Sequence, residues 1–143
     1  MEQYILVGFY EDAYKQQVEE LETMGVCKYH GFQNDPRPFY EKADCLVLPS
    51  YHEGMSNVLL EAAATGRPLI TSDIPGCREA VEENVTGFTC PVRDEDALYR
   101  AMKRMTALRR TDREAMGKAG QQKIQREFDK TTVVAKTVNA IFR

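Results

Sequence analysis

No stretch of this sequence stays apolar long enough to cross a bilayer. The longest nearly apolar run, residues 58–64, is broken by Glu61 and falls far short of the roughly 20 residues a membrane helix needs. No basic segment followed by an apolar core opens the chain, so no secretory leader is expected. Charge of one sign is not in excess either. The 19 Lys and Arg stand against 22 Asp and Glu, a formal net charge of −3, which argues against a dedicated nucleic-acid binder. The four cysteines, Cys27, Cys45, Cys77 and Cys90, show neither a CxxC pair nor the Cys/His spacing of a zinc site. There is no low-complexity tract and no internal repeat.

What is present is ordinary for a folded domain: 43% hydrophobic and 29% charged residues exclude disorder, collagen and coiled coil as the main state. The chain of 143 residues is expected to form a single domain. At that size about two-thirds of the unfolded surface can be buried without help from disulfides or metal. Cys27 and Cys45 sit inside apolar runs, where a free thiol behaves as a small hydrophobe. A reduced, cytoplasmic compartment follows, and there the Asn84-Val85-Thr86 sequon serves to shape a turn with Gly87.

Short apolar runs alternate with helical patterns. Strands are expected at residues 4–7, 26–30, 45–48, 68–71 and 87–90, all but the last nearly continuous in apolar residues, as strands covered on both faces are. Between them the spacing predicts helices over 12–24, 35–42 and 56–65, the last ended by Gly66, and a short piece over 75–82. From Glu95 the strands stop, and three apolar stripes predict three consecutive helices, the first two bent around Thr111. The alternation predicts an α/β fold, a doubly wound parallel sheet of about five strands, with residues 1–94 as its core and helices over 95–143. Ligands of such sheets bind at the carboxyl ends of the strands, which directs attention to the loops after Val7, His30, Pro49, Thr71 and Cys90.

The most informative stretch runs from Pro49 through Gly54 into a helix. A helix start exposes unsatisfied N–H groups and a partial positive charge, so it suits a phosphate. Gly54 lets the backbone approach a ligand, and Ser56 is the expected N-cap. Glu53 and Glu61 flank this anion site, with Asn57 one turn before Glu61 on the same face. Carboxylates repel a phosphate but accept hydrogen bonds from hydroxyls, as acidic residues do from a ribose in dinucleotide-binding folds. An anion cradle between two hydroxyl acceptors matches a nucleoside diphosphate sugar. Each glutamate also has a bland alternative, a solvated helix face for Glu61 and an ordinary loop acid for Glu53.

The run resembles the signature of the retaining glycosyltransferases of family 4, whose two-domain GT-B fold has a Rossmann-like C-terminal half. Their Glu, seven residues, Glu pattern falls here on Glu53 and Glu61, within Pro49-Ser50-Tyr51-His52-Glu53-Gly54. Flanking pieces are similar too: Tyr29-His30-Gly31-Phe32, Tyr40-Glu41-Lys42-Ala43-Asp44, Thr65-Gly66-Arg67-Pro68-Leu69-Ile70, Pro75-Gly76-Cys77-Arg78-Glu79 and Thr86-Gly87-Phe88. The resemblance implies that Glu53 contacts the donor sugar as the catalytic-site acid and Glu61 holds the ribose. It implies that the backbone of Gly54, Met55, Ser56, Asn57 and Val58 holds sugar and distal phosphate, and that Gly31, Phe32 and Gln33 meet the base. His52, Gly76 and Glu79 are further candidates for the pocket wall. Neither metal nor other cofactor is implied, and the nucleotide sugar, a UDP-sugar on family frequency, is a substrate.

The resemblance covers part of one half of such an enzyme. On this resemblance the 143 residues are expected to hold no counterpart of the family's acceptor domain, nor of the opening strand with the basic residues that clamp the donor's phosphates. Strands 4–7 and 45–48 are therefore expected as neighbours, or an edge is left unpaired and filled by another molecule, a second copy included. Gly8-Phe9-Tyr10 departs from the family's second glycine, which weakens the case for phosphate contact there. The expected function is donor binding for transfer of a hexose to an acceptor hydroxyl in surface-polysaccharide assembly, with no transfer by this chain alone. The rivals are a fragment of a GT-B sugar-nucleotide epimerase and a non-catalytic α/β module that binds a protein. The basic residues Arg100, Lys103, Arg104, Arg109, Arg110 and Arg113 either touch the inner face of an anionic membrane peripherally or form a solvated helix face.

Overall fold

The computed structural model describes residues 3–141, and the chain divides into two compact units, Met1–Pro38 and Phe39–Arg143.

The first unit is one βαβ element. Strand β1 (Tyr4–Leu6) pairs in parallel with β2 (Cys27–Tyr29), Ile5 opposite Lys28. A 3-10 turn at Asp12–Tyr14 leads into α1 (Lys15–Thr23), which crosses between them. Tyr4, Ile5, Leu6 and Val7 remain 36–43% exposed, so the first strand is not covered on both faces as its apolar run predicts. Two strands and one helix make too few layers to cover it, and no residue of α1 is buried.

The remaining elements are α2 (Arg37–Lys42), β3 (Leu46–Leu48), α3 (Asn57–Ala64), β4 (Leu69–Ser72), β5 (Gly87–Cys90), α4 (Glu95–Ala107), α5 (Arg110–Phe128) and α6 (Lys130–Ile141). Strands β3, β4 and β5 form a parallel sheet in that order, with Val47 opposite Ile70 and Ile70 opposite Phe88. All four residues of β4 are buried, and its alternation serves two cores. Leu69 joins Leu59, Ala62, Ala63, Cys77 and Ile124 on one face, whereas Ile70 joins Phe88, Ala101 and Met105 on the other. Each fully buried aliphatic side chain there contributes about 1.5–3 kcal/mol.

The five strands fall within two residues of their expected places. Strands 4–7 and 45–48 are expected either as neighbours or with an edge left unpaired; the ladders formed are β1–β2 and β3–β4–β5. Among the described residues β3 pairs with β4 alone, so its other edge carries no strand. The predicted bend at Thr111 is also displaced. The break falls at Leu108 and Arg109, both extended, where the Arg109 carbonyl accepts from the Asp112 and Arg113 amides and so starts α5. The stripe of α6 is formed, but Val133, Val134, Val138 and Ile141 are exposed.

Two local devices shape the second unit. Helix α3 stops as the sequence predicts: Gly66, at φ +77°, donates to the Ala63 carbonyl while Arg67 donates to that of Ala62, a Schellman closure. Asn84 sits at φ +65° and its amide donates to the Gly87 carbonyl at 3.0 Å, the turn expected of the sequon. The four cysteines are free, and Cys27, Cys77 and Cys90 are buried. No helix among the described residues is long and apolar enough to cross a membrane.

Candidate functional site

The loop leaving the carboxyl end of β3 turns into α3 at Ser56, which is 4% exposed. Its Oγ accepts from the Leu59 amide at 3.5 Å and its carbonyl from the Leu60 amide at 3.2 Å. Those bonds satisfy two of the first-turn donors. The amides of Met55, Asn57 and Val58 have no acceptor among the described residues, and all three residues are exposed. Open N–H groups and the positive end of α3's dipole thus face outward together.

The two glutamates lie on either side of this turn, each held by a hydroxyl. Ser50 Oγ donates to Glu53 Oε1 at 2.8 Å. The Tyr40 hydroxyl, from α2, donates to Glu61 Oε2 at 3.3 Å. Burial, and then the Glu61 charge, pushes the Tyr40 phenol up to about 12, so it stays a donor at neutral pH. Both glutamates are exposed, and each keeps one oxygen unclaimed by its hydroxyl.

A second loop, between β4 and β5, closes against the first. The Ser56 amide donates to the Gly76 carbonyl at 3.1 Å, and Gly76 is at φ +87°. A Cβ there would lie 1.6 Å from the Gly54 carbonyl oxygen, so only glycine permits this approach. Glu79 Oε2 accepts from the Gly76 amide at 2.7 Å. Cys77 is fully buried, and burial raises its thiol; the hydrogen bond with Thr71 opposes this, and the charges of Glu53 and Glu79 add smaller raising effects. The contact between Gly54 and Gly76 and the support of Glu61 by Tyr40 are not predicted from the sequence. The Pro75-Gly76 pair was the one available signal for the first, and nothing local signals the second.

The other candidates are placed as follows. His52 is exposed in the β3–α3 loop. Gly31, Phe32 and Gln33 belong to the first unit, in the loop after β2. There the Gly31 carbonyl accepts from the Gly8 amide at 2.9 Å, Gln33 Nε2 donates to the His30 carbonyl at 2.7 Å, and the Phe32 ring stacks on Phe9 at 4.9 Å. Several residues of the basic segment have partners within the chain, with Arg109 and Arg110 remaining exposed. Arg109 pairs with Asp112, Arg110 with Glu114 and Arg113 with Asp44, while the Arg104 guanidinium lies 4.1 Å from the Phe88 ring centroid.

A groove of about 680 Å³ in the second unit lies at the opposite end of the sheet, lined by Lys42, Asp44, Arg67, Arg113 and Gln121 among others. There Arg67 Nη1 donates to the Ala43 carbonyl, just after α2, and Gln121 Nε2 to that of Ala64, at the end of α3.

Comparison with known proteins is consistent with this geometry. Residues 2–107 match the family described as Glycosyl transferases group 1. A glycogen synthase of Mycobacterium tuberculosis is 40% identical over 101 residues, 67% of this chain and 23% of that protein. The lipopolysaccharide core biosynthesis glycosyltransferase LpsE of Rhizobium meliloti is 30% identical over 88 residues, 62% of this chain and 26% of that protein. The chain thus spans about a quarter of the length of these curated relatives. Among solved structures, Anabaena Alr3699/HepE in complex with UDP-glucose superposes with a TM-score of 0.73 at 26% identity, over 95% of this chain and 40% of that one. The structural neighbours are GT-B glycosyltransferases, and their fold is the mixed α/β, parallel-sheet architecture found here. With its matched stretch running from the first strand to the end of α4, this chain belongs to the group 1 glycosyl transferases.

Proposed function

We propose that this chain is the donor-binding portion of a retaining glycosyltransferase that moves a hexose from a nucleoside diphosphate sugar, a UDP-sugar, to an acceptor hydroxyl in surface-polysaccharide assembly. The observation that carries the reading is the set of open amides at Met55, Asn57 and Val58 between two hydroxyl-supported carboxylates. The UDP-glucose complex of Alr3699/HepE supports the donor class, and the lipopolysaccharide core named for LpsE supports the surface product, glycogen synthase being named for a different polysaccharide.

In this reading the backbone of Gly54 to Val58 lies against the sugar and distal phosphate, and its open amides at Met55, Asn57 and Val58 stabilise the charge that develops on the departing diphosphate, the Ser56 amide being taken by the Gly76 carbonyl. Glu61 accepts from a ribose hydroxyl with the oxygen Tyr40 leaves free, and Glu53 orients the hexose without attacking it. The base is assigned to Gly31, Phe32 and Gln33 by family resemblance. His52 and Gly76 border the sugar. The reading calls for no metal, since the helix terminus supplies the positive end. Such a terminus is worth roughly 0.3–1 kcal/mol when exposed, so donor binding weaker than about 0.1 mM is expected, with no transfer by this chain alone. Acceptor recognition is assigned to a separate domain, and contact with the inner face of a membrane is at most peripheral.

The test is Glu61→Ala under UDP titration. Loss of a charged hydrogen bond to ribose costs about 1–3 kcal/mol, so affinity should fall roughly five- to 150-fold. An unchanged titration in the variant removes the ribose assignment. Failure of UDP, GDP and ADP alike to perturb the native chain at millimolar concentration leaves the protein-binding module as the better account.

A further inference from the structure

Gly76 is tied at its amide and at its carbonyl and pressed at its α-carbon. Its carbonyl accepts from the Ser56 amide at 3.1 Å, its amide donates to Glu79 Oε2 at 2.7 Å, and its missing Cβ would lie 1.6 Å from the Gly54 carbonyl oxygen and 2.8 Å from that of Glu53. Two of these, the Ser56 hydrogen bond and the close approach to Gly54, join the β4–β5 loop to the open-amide turn, and the third, from Glu79, braces Gly76 within its own loop.

A carboxylate reaching back three residues to an amide is half of a capping box, and an ordinary cap would end its role there. The helical piece it would cap is only the 3-10 turn Arg78–Ala80, however, and the amide it takes belongs to the residue wedged against Gly54. A negative charge beside an anion site is also unfavourable in itself. Its presence calls for a compensating gain, and fixed geometry of the neighbouring donors is such a gain.

We propose that Glu79 is a positioning residue: by holding the Gly76 amide it clamps the Gly76 peptide on Gly54, which sets the open amides of Met55, Asn57 and Val58 for a diphosphate. The proposal rests on the reading of those amides as the donor's phosphate cradle. Glu79 itself does not touch the donor. Its carboxylate is the fixed acceptor, the Gly76 peptide is the moving part, and the Ser56 amide passes the constraint into the first turn of α3.

The experiment compares Glu79→Ala with Glu79→Gln in the full chain, with two readouts. The first needs no ligand: hydrogen exchange of the Gly76 and Ser56 amides. Glu79→Ala should speed both about tenfold while leaving Phe88, in the central ladder, unchanged. Glu79→Gln keeps a carbonyl oxygen as acceptor and should restore protection to within about twofold. The second is UDP titration, where Ala should weaken binding about fivefold to tenfold and Gln should not. If both variants tighten UDP binding, Glu79 acts only as a repelling charge and the proposal falls. It also falls if Ser56 exchange is the same in all three proteins, or if Gln behaves as Ala does. Should the native chain ignore UDP altogether, the donor reading fails by itself, and the exchange data still decide whether Glu79 clamps the turn.

Discussion

The Tyr40 hydroxyl donates to Glu61 Oε2 across 3.3 Å, from a side chain that is only 5% exposed. An exposed carboxylate on a helix surface is thereby held by a buried group from a different helix. Tyr40→Phe removes the donor and keeps the ring, so the core should hold while Glu61 becomes free to rotate. UDP affinity is expected to fall about threefold to tenfold, with little change in thermal midpoint. Equal affinity in the variant would show that Glu61 needs no such support.

Alkaline pH provides a separate check. Burial, then the Asp44 charge, raises the Cys45 thiol from 9.0 to about 12, with Arg113 opposing. Tyr40 rises from 10.0 to about 12 for the reasons already given. The folded chain holds both protons more tightly than the unfolded one. The resulting stability is complete below pH 9.0 for Cys45 and below pH 10.0 for Tyr40, and is lost as pH climbs toward about 12. The urea midpoint should therefore decline above pH 9.0, and Tyr40→Phe should shallow the decline above pH 10.0. A flat midpoint across that range would contradict the burial of both groups.

Gly76→Ala meets two obstacles at once, a positive φ and a backbone oxygen 1.6 Å from the new Cβ. Strain at such positions is of order 1–3 kcal/mol before the overlap is counted, so the urea midpoint should fall markedly. Gly54→Ala, where no atom lies within 4 Å of the built Cβ, should cost far less. Similar losses at the two positions would contradict the asymmetry.

Leu59 is fully buried in the α3 face of the core. Leu59→Ala should destabilise by about 2–5 kcal/mol, read from denaturant unfolding of the full chain. A loss under about 1 kcal/mol would mean that α3 is not anchored against the sheet as described.

The strands were legible because β3 and β4 are apolar runs bounded by turn residues, and the end of α3 because Gly66 supplies the left-handed turn a Schellman closure needs. Ser56 as N-cap was readable for the same local reason. Pairing between strands was not, since an apolar run such as 4–7 records that a residue is hydrophobic and not which backbone stands beside it. The supports of the site were equally hidden. Tyr40 and Glu61 are 21 residues apart, and the approach of Gly76 to Gly54 is a backbone contact that leaves no periodicity. Thr111, a weak helix former, lies near the break between α4 and α5 but inside α5, and the helix ends instead at the extended backbone of Leu108 and Arg109.

The most direct measurement is an amide correlation spectrum of the isotope-labelled chain titrated with UDP. The account predicts that the Met55, Asn57 and Val58 amides move first and farthest, downfield as donors engage phosphate, and that Glu61→Ala weakens the response without moving it elsewhere. Shifts confined to other surfaces, with those three amides unmoved at saturating UDP, would contradict it.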